Sequence, residues 1–169
     1  KYILTTIHRD YNTDIRANLH SVFNAILKIS IEQKVVLPLH PRTKKVLMLD
    51  ENKTLYAKLI ANDNIIILPP ASFLDMIVLE KNSSLIITDS GGVQKEAYFF
   101  NKPCIILRPE TEWVEILDTG MAILASVDFD KILNAYRKLW QMKVVDFPNL
   151  FGDGHASEFI CSVLLKNIS

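Results

Sequence analysis

The segment Asp89–Glu96 reads Asp-Ser-Gly-Gly-Val-Gln-Lys-Glu and directly follows the apolar run Ser84–Thr88. This order predicts a strand, a tight glycine turn and then a helix over Val93–Phe100. The start of such a helix presents backbone N–H groups without intrahelical partners at the positive end of the helix dipole. Two glycines without Cβ atoms let an anion approach that backbone closely. Strand-to-helix connections that bind no ligand show the same pattern. Other parts of the chain must therefore decide between an anion-binding turn and an ordinary connection.

Glu96 lies about one helical turn beyond the two glycines, on the face that looks back toward the turn. A carboxylate at this position suits the vicinal hydroxyls of a ribose, because carboxylate oxygens accept hydrogen bonds. The glycine turn suits the phosphates of the same nucleotide. Together, the turn and the carboxylate favour a nucleotide as the ligand.

The composition is that of an ordinary globular protein. The 169 residues are enough for one domain with a core, and 49% are hydrophobic and 22% charged. Nineteen basic and nineteen acidic residues cancel, which argues against a nucleic-acid partner held by bulk electrostatics and leaves a local basic pocket open. No apolar run approaches the roughly 20 residues of a membrane span, so we expect no membrane partner.

The two cysteines, Cys104 and Cys161, are far apart and not in metal-ligand spacing. We expect both to be reduced, buried side chains in a cytoplasmic protein, with no metal site. The chain begins with Lys1, at the edge of a strand-like run, and no signal peptide is apparent. Such a chain is either a mature product or, as we expect, a domain of a longer protein.

Short apolar runs alternate with longer amphipathic ones along the chain. Strands are predicted from runs rich in Ile, Val and Leu that lack in/out alternation, as in strands buried on both faces: Tyr2–Thr6, Val35–Leu39, Ile65–Leu68, Leu85–Thr88, Cys104–Leu107 and Ala122–Leu124. Helices are predicted between them: Ile15–Ile31 capped by Thr13 or Asp14, Thr43–Asp50, Leu55–Ile60, Ser72–Glu80, Val93–Phe100, Thr111–Leu117 capped by Thr111, Asp128–Met142 and Ala156–Lys166. The alternation predicts a single three-layer α/β/α domain over residues 1–169, with a Rossmann-like parallel sheet.

Loops with polar residues or glycines follow the first five predicted strands. Ligands of doubly wound sheets bind at the carboxyl ends of the strands, where these loops lie. The loops therefore predict one shared site, built from His8 and Arg9, His40, Pro69–Ser72, Asp89–Gly92 and Arg108–Glu112.

Six segments in this order carry a family resemblance: Thr6–Asn12 (Thr-Ile-His-Arg-Asp-Tyr-Asn), Pro38–Pro41 (Pro-Leu-His-Pro), Asp89–Ala97, Lys102-Pro103, Arg108–Glu115 (Arg-Pro-Glu-Thr-Glu-Trp-Val-Glu) and Gly152–Gly154 (Gly-Asp-Gly). With them the chain resembles the non-hydrolysing UDP-N-acetylglucosamine 2-epimerases. The resemblance covers essentially the whole chain and aligns it with the C-terminal half of that family.

The resemblance implies a nucleotide-sugar isomerase with the two-domain GT-B architecture, in which the C-terminal domain holds UDP and the N-terminal domain supplies the proton-transfer carboxylates. The family inverts C2 of the sugar by eliminating and re-adding UDP, without NAD, a metal or another cofactor. Such an elimination needs a base at C2, an acid that returns the proton and stabilisation of the departing pyrophosphate. The implied partners are UDP, a UDP-N-acetyl sugar, the missing N-terminal domain and, in the full-length protein, a second copy in a homodimer.

Individual residues carry over from the motifs of the family. His8 matches the histidine near the leaving phosphate and is the implied catalytic residue; a structural histidine at a strand end is the alternative. Glu96 matches the ribose carboxylate, and Arg9 either binds phosphate or holds the domain interface. The implied UDP-binding set is Arg9, His40, Ala71, Phe73, Met76, Ser90, Gly91, Gly92, Glu96, Arg108 and Trp113.

The base end of the implied site is less distinctive. Uracil is expected over Ala71 and Met76, where the family usually has an aromatic residue at the second position, with Phe73 packing nearby. The same three residues suit plain core positions on the helix that starts near Ser72. His40 either lines the site or only shapes its loop.

The chain departs from the family pattern at two places. Tyr11 stands where many members carry Glu, and Trp113-Val114 stands where many have Arg-Pro. The Thr-Glu-Trp-Val-Glu version resembles a subgroup that acts on modified or oxidised sugars, such as diacetamido-glucuronic acid nucleotides. Trp113 cannot supply the charge of an arginine, so phosphate recognition is expected to rely on the glycine turn and the His-Arg pair. Arg108 is nearby and either adds to that charge or braces its loop.

No pair of carboxylates matches the proton-transfer set of the family. Glu112 and Glu115 are expected at a surface helix start, and Asp10 and Asp14 in a loop and a cap. We therefore expect the chain alone to bind UDP or a UDP-sugar without turning it over.

The last predicted helix either exposes apolar residues that would cover the missing domain or packs on its own domain; the residues concerned are Phe159, Ile160, Val163 and Leu164. A GT-B glycosyltransferase, a hydrolysing epimerase and a non-catalytic UDP-sugar-binding module remain alternatives. The identity of the sugar, the direction of epimerisation and any feedback site stay open.

Overall fold

The computed structural model describes residues 1–142 and 147–168. The strands in these ranges are β1 (Ile3–Thr6), β2 (Val35–Pro38), β3 (Ile65–Leu68), β4 (Leu85–Thr88), β5 (Cys104–Ile106) and β6 (Ala122–Leu124). The helices are α1 (Asp10–Thr13), α2 (Arg16–Ile29), α3 (Pro41–Leu47), α4 (Lys53–Ile60), α5 (Phe73–Asn82), α6 (Gly91–Phe99), α7 (Val114–Asp118), α8 (Phe129–Gln141) and α9 (Ala156–Ile168), with a 3-10 turn at Asp50–Asn52. Each predicted strand is present within one or two residues of its expected bounds.

The strands form one parallel sheet in the spatial order β3-β2-β1-β4-β5-β6. Thr6 at the end of β1 lies opposite Thr88 at the end of β4. The chain builds outward from β1 to β3 and then returns to place β4 on the other side of β1, so the strand order reverses between β1 and β4. Ligands of such sheets bind in the crevice beyond this reversal. The topology therefore singles out the loops after β1 and β4.

Alternate strand residues face two helical layers, which makes the fold a three-layer sandwich. Ile3 and Leu85 pack toward α2, α4 and α8, whereas Leu4 and Ile86 pack toward α6 and α7. All residues of β1, β2 and β4 are buried, as expected for strands covered on both faces. The Rossmann-like prediction is confirmed.

Two helices start later than predicted. α2 begins at Arg16 without a side-chain cap, because the Thr13 hydroxyl donates to the Arg9 carbonyl oxygen at 3.1 Å and Asp14 pairs with Arg42. α7 begins at Val114, because the Thr111 hydroxyl accepts from the Trp113 N–H at 3.2 Å in a turn before the helix. The expected caps at Thr13, Asp14 and Thr111 are therefore wrong.

The C-terminal helix is exposed on all sides in the structure. Every side chain of residues 156–167 is exposed, including Phe159 at 70% and Ile160 at 55%. Cys161 shares this exposure, so the prediction of two buried cysteines holds only for Cys104. Within the described ranges, no helix has the length and apolar character that crossing a membrane requires.

Candidate functional site

The carboxylate of Asp89 organises the loop that follows β1. Asp89 is fully buried after β4 and accepts hydrogen bonds from the backbone N–H groups of His8 at 2.9 Å and Arg9 at 3.0 Å. The side-chain amide of Asn12 donates to the same carboxylate at 3.0 Å and to the Leu107 carbonyl oxygen after β5 at 2.9 Å. One carboxylate and one amide thus fix the ends of three neighbouring strands relative to each other.

The imidazole of His8 is also held by Asp89. His8 Nδ1 lies 2.9 Å from Asp89 Oδ1, and because the carboxylate accepts, Nδ1 carries a hydrogen and Nε2 remains for another partner. This hydrogen bond raises the pKa of His8, against the opposing effect of burial. Burial acts to raise the pKa of Asp89, but the bonds from His8 and from the backbone lower it overall. The pair therefore favours a cationic imidazole at the mouth of the crevice, where it can stabilise an anion.

His40 lies opposite His8, with the ring centroids 5.7 Å apart. Its helix is tied to the same loop, since the Thr43 hydroxyl donates to the Ile7 carbonyl oxygen at 2.6 Å. His40 Nδ1 accepts from the Arg42 N–H at 3.2 Å and so caps α3. His40 therefore both shapes its loop and lines the crevice.

A cavity of about 320 Å³ opens between these loops and the start of α6. It is lined by Thr6, Ile7, His8, Pro38, His40, Pro70, Ala71, Met76, Ser90 and Val93. The structure thus brings together five of the predicted site residues, His8, His40, Ala71, Met76 and Ser90. Phe73 is not among them: it is 69% exposed in the first turn of α5, so its packing near the base stays a prediction. The capping box of Ser72 and Asp75 starts α5 there and leaves the Phe73 side chain toward solvent.

The glycine turn begins α6 directly, two residues earlier than predicted. Ser90 is the N-cap residue and accepts from the Val93 N–H at 3.4 Å. Neither Gly91 nor Gly92 has positive φ, so the backbone conformation does not require glycine at either position. A Cβ at Gly92 would have only Ser90 Oγ within 4 Å, at 3.9 Å. The space above the first turn of α6 is therefore open to an approaching anion.

Arg108 and Glu112 form a bidentate ion pair beside Gly91. The two guanidinium–carboxylate distances are 2.6 and 2.8 Å, and the hydrogen bond from Arg108 is the main reason that the pKa of Glu112 falls to about 2. A Cβ at Gly91 would lie 3.5 Å from Glu112 Oε2 and 3.7 Å from Arg108 Nη1. The interpretation of Glu112 as a helix-start residue is wrong, since α7 starts two residues later. Arg108 braces the loop, and its charge is already paired.

Trp113 is bonded to the glycine turn itself. Its indole Nε1 donates to the Gly91 carbonyl oxygen at 2.8 Å. The ammonium of Lys95 lies 4.4 Å from the Trp113 ring centroid and 4.5 Å from that of Phe151. Trp113 thus supports the turn from the protein side, with a cation–π contact on its ring.

Two further predicted residues, Arg9 and Glu96, are not among those that line the cavity. Arg9 donates from Nε to the Asp89 carbonyl oxygen at 2.9 Å, and its side chain is otherwise exposed. Glu96 is half-buried on α6, three residues after Val93, which lines the cavity. In the parts of the chain that the structure covers, no group of three or more His, Cys, Asp or Glu residues is arranged to hold a metal ion.

Sequence reasoning gave no individual role in the site to three residues that build it: Asp89, Asn12 and Glu112. Asp89 and Asn12 lie within the segments quoted above, but their pairing across 77 residues follows from the register of β1 and β4. The polar side chain of Asp89 directly after a buried strand was the available signal. Arg108 and Glu112 pair within a loop that is not helical, so no helical spacing indicated their ion pair.

Comparisons with known proteins agree with the family resemblance described above. The family model described as UDP-N-acetylglucosamine 2-epimerase matches residues 1–165. A UDP-N-acetylglucosamine 2-epimerase homolog of Methanococcus maripaludis is 43% identical over 97% of this chain and 44% of its own length. The UDP-2,3-diacetamido-2,3-dideoxy-D-glucuronate 2-epimerase of Pseudomonas aeruginosa is 41% identical over 98% of this chain and 44% of its length.

A solved structure shows the same fold. The UDP-GlcNAc 2-epimerase of Methanocaldococcus jannaschii, in complex with UDP-GlcNAc and UDP, is 37% identical with a TM-score of 0.84, covering 98% of this chain and 45% of that one. The chain therefore spans somewhat less than half the length of the relatives it matches. By the extent of the family match, the chain belongs to the UDP-N-acetylglucosamine 2-epimerase family.

Proposed function

We propose that this chain is the UDP-binding, C-terminal half of a UDP-sugar 2-epimerase with GT-B architecture. The observation that carries the proposal is the crevice beyond β1 and β4, where a bare helix N-terminus and a histidine held by a buried aspartate face one cavity. The diphosphate binds at Ser90, Gly91 and Gly92, because the first turn of α6 offers free N–H groups and the positive end of its dipole.

The remaining groups of UDP follow from this position. Glu96 accepts the two ribose hydroxyls one turn further along α6. Uracil lies in the apolar part of the cavity, against Ala71 and Met76. Family membership and the UDP bound in the M. jannaschii relative support this arrangement.

The residues of this chain act on the leaving group of the reaction. Breaking the bond between the anomeric carbon and the phosphate oxygen places negative charge on UDP. His8, protonated on both nitrogens, stabilises that charge through Nε2, and Arg9 and the α6 N-terminus add to it. The base at C2 and the acid that returns its proton come from the other half of the protein, so the chain alone binds UDP without epimerising UDP-GlcNAc.

The exposed apolar residues of α9, Phe159 and Ile160 among them, fit a helix that packs on that other half. Exposed apolar patches of this kind mark association surfaces. The full-length protein is proposed to be a cytoplasmic homodimer without a cofactor.

UDP titration of the 169-residue chain tests the binding site directly. Calorimetry on wild type and Glu96→Ala should show affinity falling by about tenfold or more, since hydrogen bonds to a charged acceptor contribute roughly 1.5–3 kcal/mol. Asp63→Ala is the matched control, because it removes an exposed carboxylate before β3, at the amino end of the sheet. Equal affinity of the Glu96→Ala variant and wild type would refute the ribose site.

A second candidate concerns the sugar. Trp113 in place of an arginine favours a diacetamido-glucuronic acid nucleotide over UDP-GlcNAc, and the 41% identity to the P. aeruginosa enzyme is compatible with either sugar. Incubation of the full-length protein with each nucleotide sugar, followed by product analysis, decides between them. A second nucleotide sugar identifies an epimerase, free sugar with UDP identifies a hydrolysing enzyme, and slow hydrolysis alone points to a glycosyltransferase.

A further inference from the structure

The buried carboxyl of Glu80 has no part in the site described so far. Glu80 lies in the last turn of α5 and is fully buried. Neither of its side-chain oxygens has a hydrogen-bond partner among the described residues. A buried polar group without a partner destabilises the fold, so packing alone gives no reason for this residue.

The position of Glu80 disfavours a charged carboxylate. Its backbone carbonyl oxygen accepts from the Ser83 N–H and hydroxyl, which close the C-terminal end of α5, and the negative end of the helix dipole repels an anion there. Burial first, and then the charge of Glu96, raise the pKa of Glu80 to about 8. Glu80 is therefore an uncharged carboxylic acid at neutral pH, with an O–H group to donate.

Glu96 is the group that can accept this hydrogen bond. α5 and α6 pack side by side on the same face of the sheet, and the Glu96 carboxyl is close enough to act on Glu80 electrostatically. Glu96 is half-buried on α6, one turn beyond the glycines that start the helix, whereas Glu80 is fully buried. The two carboxyls thus form a pair in which the outer one can meet a ligand and the inner one cannot.

We propose that Glu80 is the positioning residue of the ribose site: its neutral carboxyl donates a hydrogen bond to the inner oxygen of Glu96 and so holds the Glu96 carboxylate ionised and oriented toward the ribose hydroxyls. This proposal rests on the proposed UDP site and adds a residue that touches no ligand. A carboxylate that receives a hydrogen bond from behind is fixed in orientation, which lowers the ordering cost of binding.

Three groups near Glu80 bear on its behaviour with pH. Glu96 faces it from α6 and Cys104 from β5; burial, and then the charge of Glu80, raise the pKa of the Cys104 thiol, which stays neutral. Tyr2, just before β1, donates its hydroxyl hydrogen to the carbonyl oxygen of Leu79 at 2.7 Å, and burial raises the pKa of Tyr2. Between pH 7 and 9, Glu80 is therefore the member of this group that changes charge. Once ionised, it can no longer donate and repels Glu96.

Substitutions at position 80 separate a positioning role from a structural one. Glu80→Met fills the site with an apolar side chain, and Glu80→Gln keeps a donor that cannot ionise. We expect Glu80→Met to lower UDP affinity by about fivefold to tenfold, because it removes the proposed hydrogen bond to Glu96. We expect no fall in Tm, because an apolar side chain replaces a buried acid. We expect Glu80→Gln to bind within about threefold of wild type, which is the scale of a change smaller than one hydrogen bond.

The pH profile supplies a readout that packing does not affect. UDP affinity of wild type should fall more steeply from pH 7 to pH 9 than that of Glu80→Gln, because loss of the His8 charge weakens binding in both proteins and ionisation at position 80 weakens it only in wild type. In the Glu96→Ala background, Glu80→Met should have no further effect on affinity.

Each failure has a distinct meaning. Suppose that Glu96→Ala weakens UDP binding, but that Glu80→Met binds UDP as wild type does and the pH profiles of wild type and Glu80→Gln coincide. The positioning role is then refuted and the UDP site stands. If Glu96→Ala itself has no effect, the proposed UDP site is refuted as well. Should Glu80→Met fail to fold, a pH profile of wild type that matches that of Glu80→Gln would still overturn the proposal.

Discussion

Substituting alanine for Gly92 should make the protein more stable and its UDP binding weaker. Gly92 is exposed at the second position of α6, without positive φ, and the nearest heavy atom to an added Cβ is Ser90 Oγ at 3.9 Å. Alanine therefore fits the folded protein without strain and reduces the entropy of the unfolded chain, so we expect a gain of about 0.5 kcal/mol. A gain of this size corresponds to a Tm higher by about 1–2 °C for a domain of this length.

The same methyl group would occupy the space through which the diphosphate approaches the α6 N-terminus. Pushing a phosphate oxygen outward by about 1 Å lengthens its hydrogen bonds to the backbone beyond the useful range. We expect Kd for UDP to rise by at least about tenfold, or 1.4 kcal/mol, in calorimetric titration at constant salt. Thr54→Ala is the matched control: it adds alanine at the second position of α4, in the opposite helical layer. A Gly92→Ala protein that binds UDP as wild type does would refute the placement of the diphosphate.

Three further results are expected. Asp89→Asn should lower the pKa of His8 in an NMR titration of its ring protons, because the hydrogen bond that His8 donates to Asp89 is the main cause that raises it. An unchanged pKa would contradict the pairing. Trp113→Phe keeps an aromatic ring near Lys95 but removes the hydrogen bond to the Gly91 carbonyl oxygen. It should reduce UDP affinity by about threefold to tenfold, the value of one neutral hydrogen bond; Phe99→Leu, at an exposed residue of α6, is the control. The pKa of Glu80 in the folded protein is raised to about 8 from an ordinary value of 4.5, so the stability that its protonated form contributes is complete below pH 4.5 and is lost as pH rises to about 8. The urea midpoint of wild type should therefore fall relative to that of Glu80→Gln across this window. Parallel curves would show that Glu80 is ionised in the folded protein.

The sheet and the location of the site could be predicted from the sequence, because both follow from patterns local in the chain. Short Ile-Val-Leu runs mark strands buried on both faces, and a glycine turn after β4 marks a helix N-terminus. The side-chain partners could not be predicted in this way. Asp89 and His8 lie 81 residues apart, and their contact depends on the register of β1 against β4.

The wrong predictions have a common physical cause. Thr13, Asp14 and Thr111 are residue types that cap helices, yet each bonds elsewhere. The Thr13 hydroxyl donates to the Arg9 carbonyl oxygen four residues earlier, and tertiary structure brings the Arg42 guanidinium to Asp14 and the Gln94 side chain to Thr111. Propensity cannot anticipate such competition. Phe73 was placed near the base by the family resemblance, and the N-terminal turn of α5 leaves it 69% exposed, so that placement stays a prediction.

The proposed diphosphate would be held by a chain with a net charge of zero, so the charge around the glycine turn matters. Among the nearby cations, His8 and Arg108 are paired with carboxylates of this chain, and Lys95 lies over the Trp113 and Phe151 rings. Arg9 is fixed through a backbone carbonyl oxygen and, among the described residues, forms no ion pair within 4 Å. Most of the attraction must then come from oriented N–H groups and the dipole of α6, which cost no reorganisation when charge develops on the leaving group. The carboxylates that pair with the cations serve the same end, because they fix the donor directions before the ligand arrives.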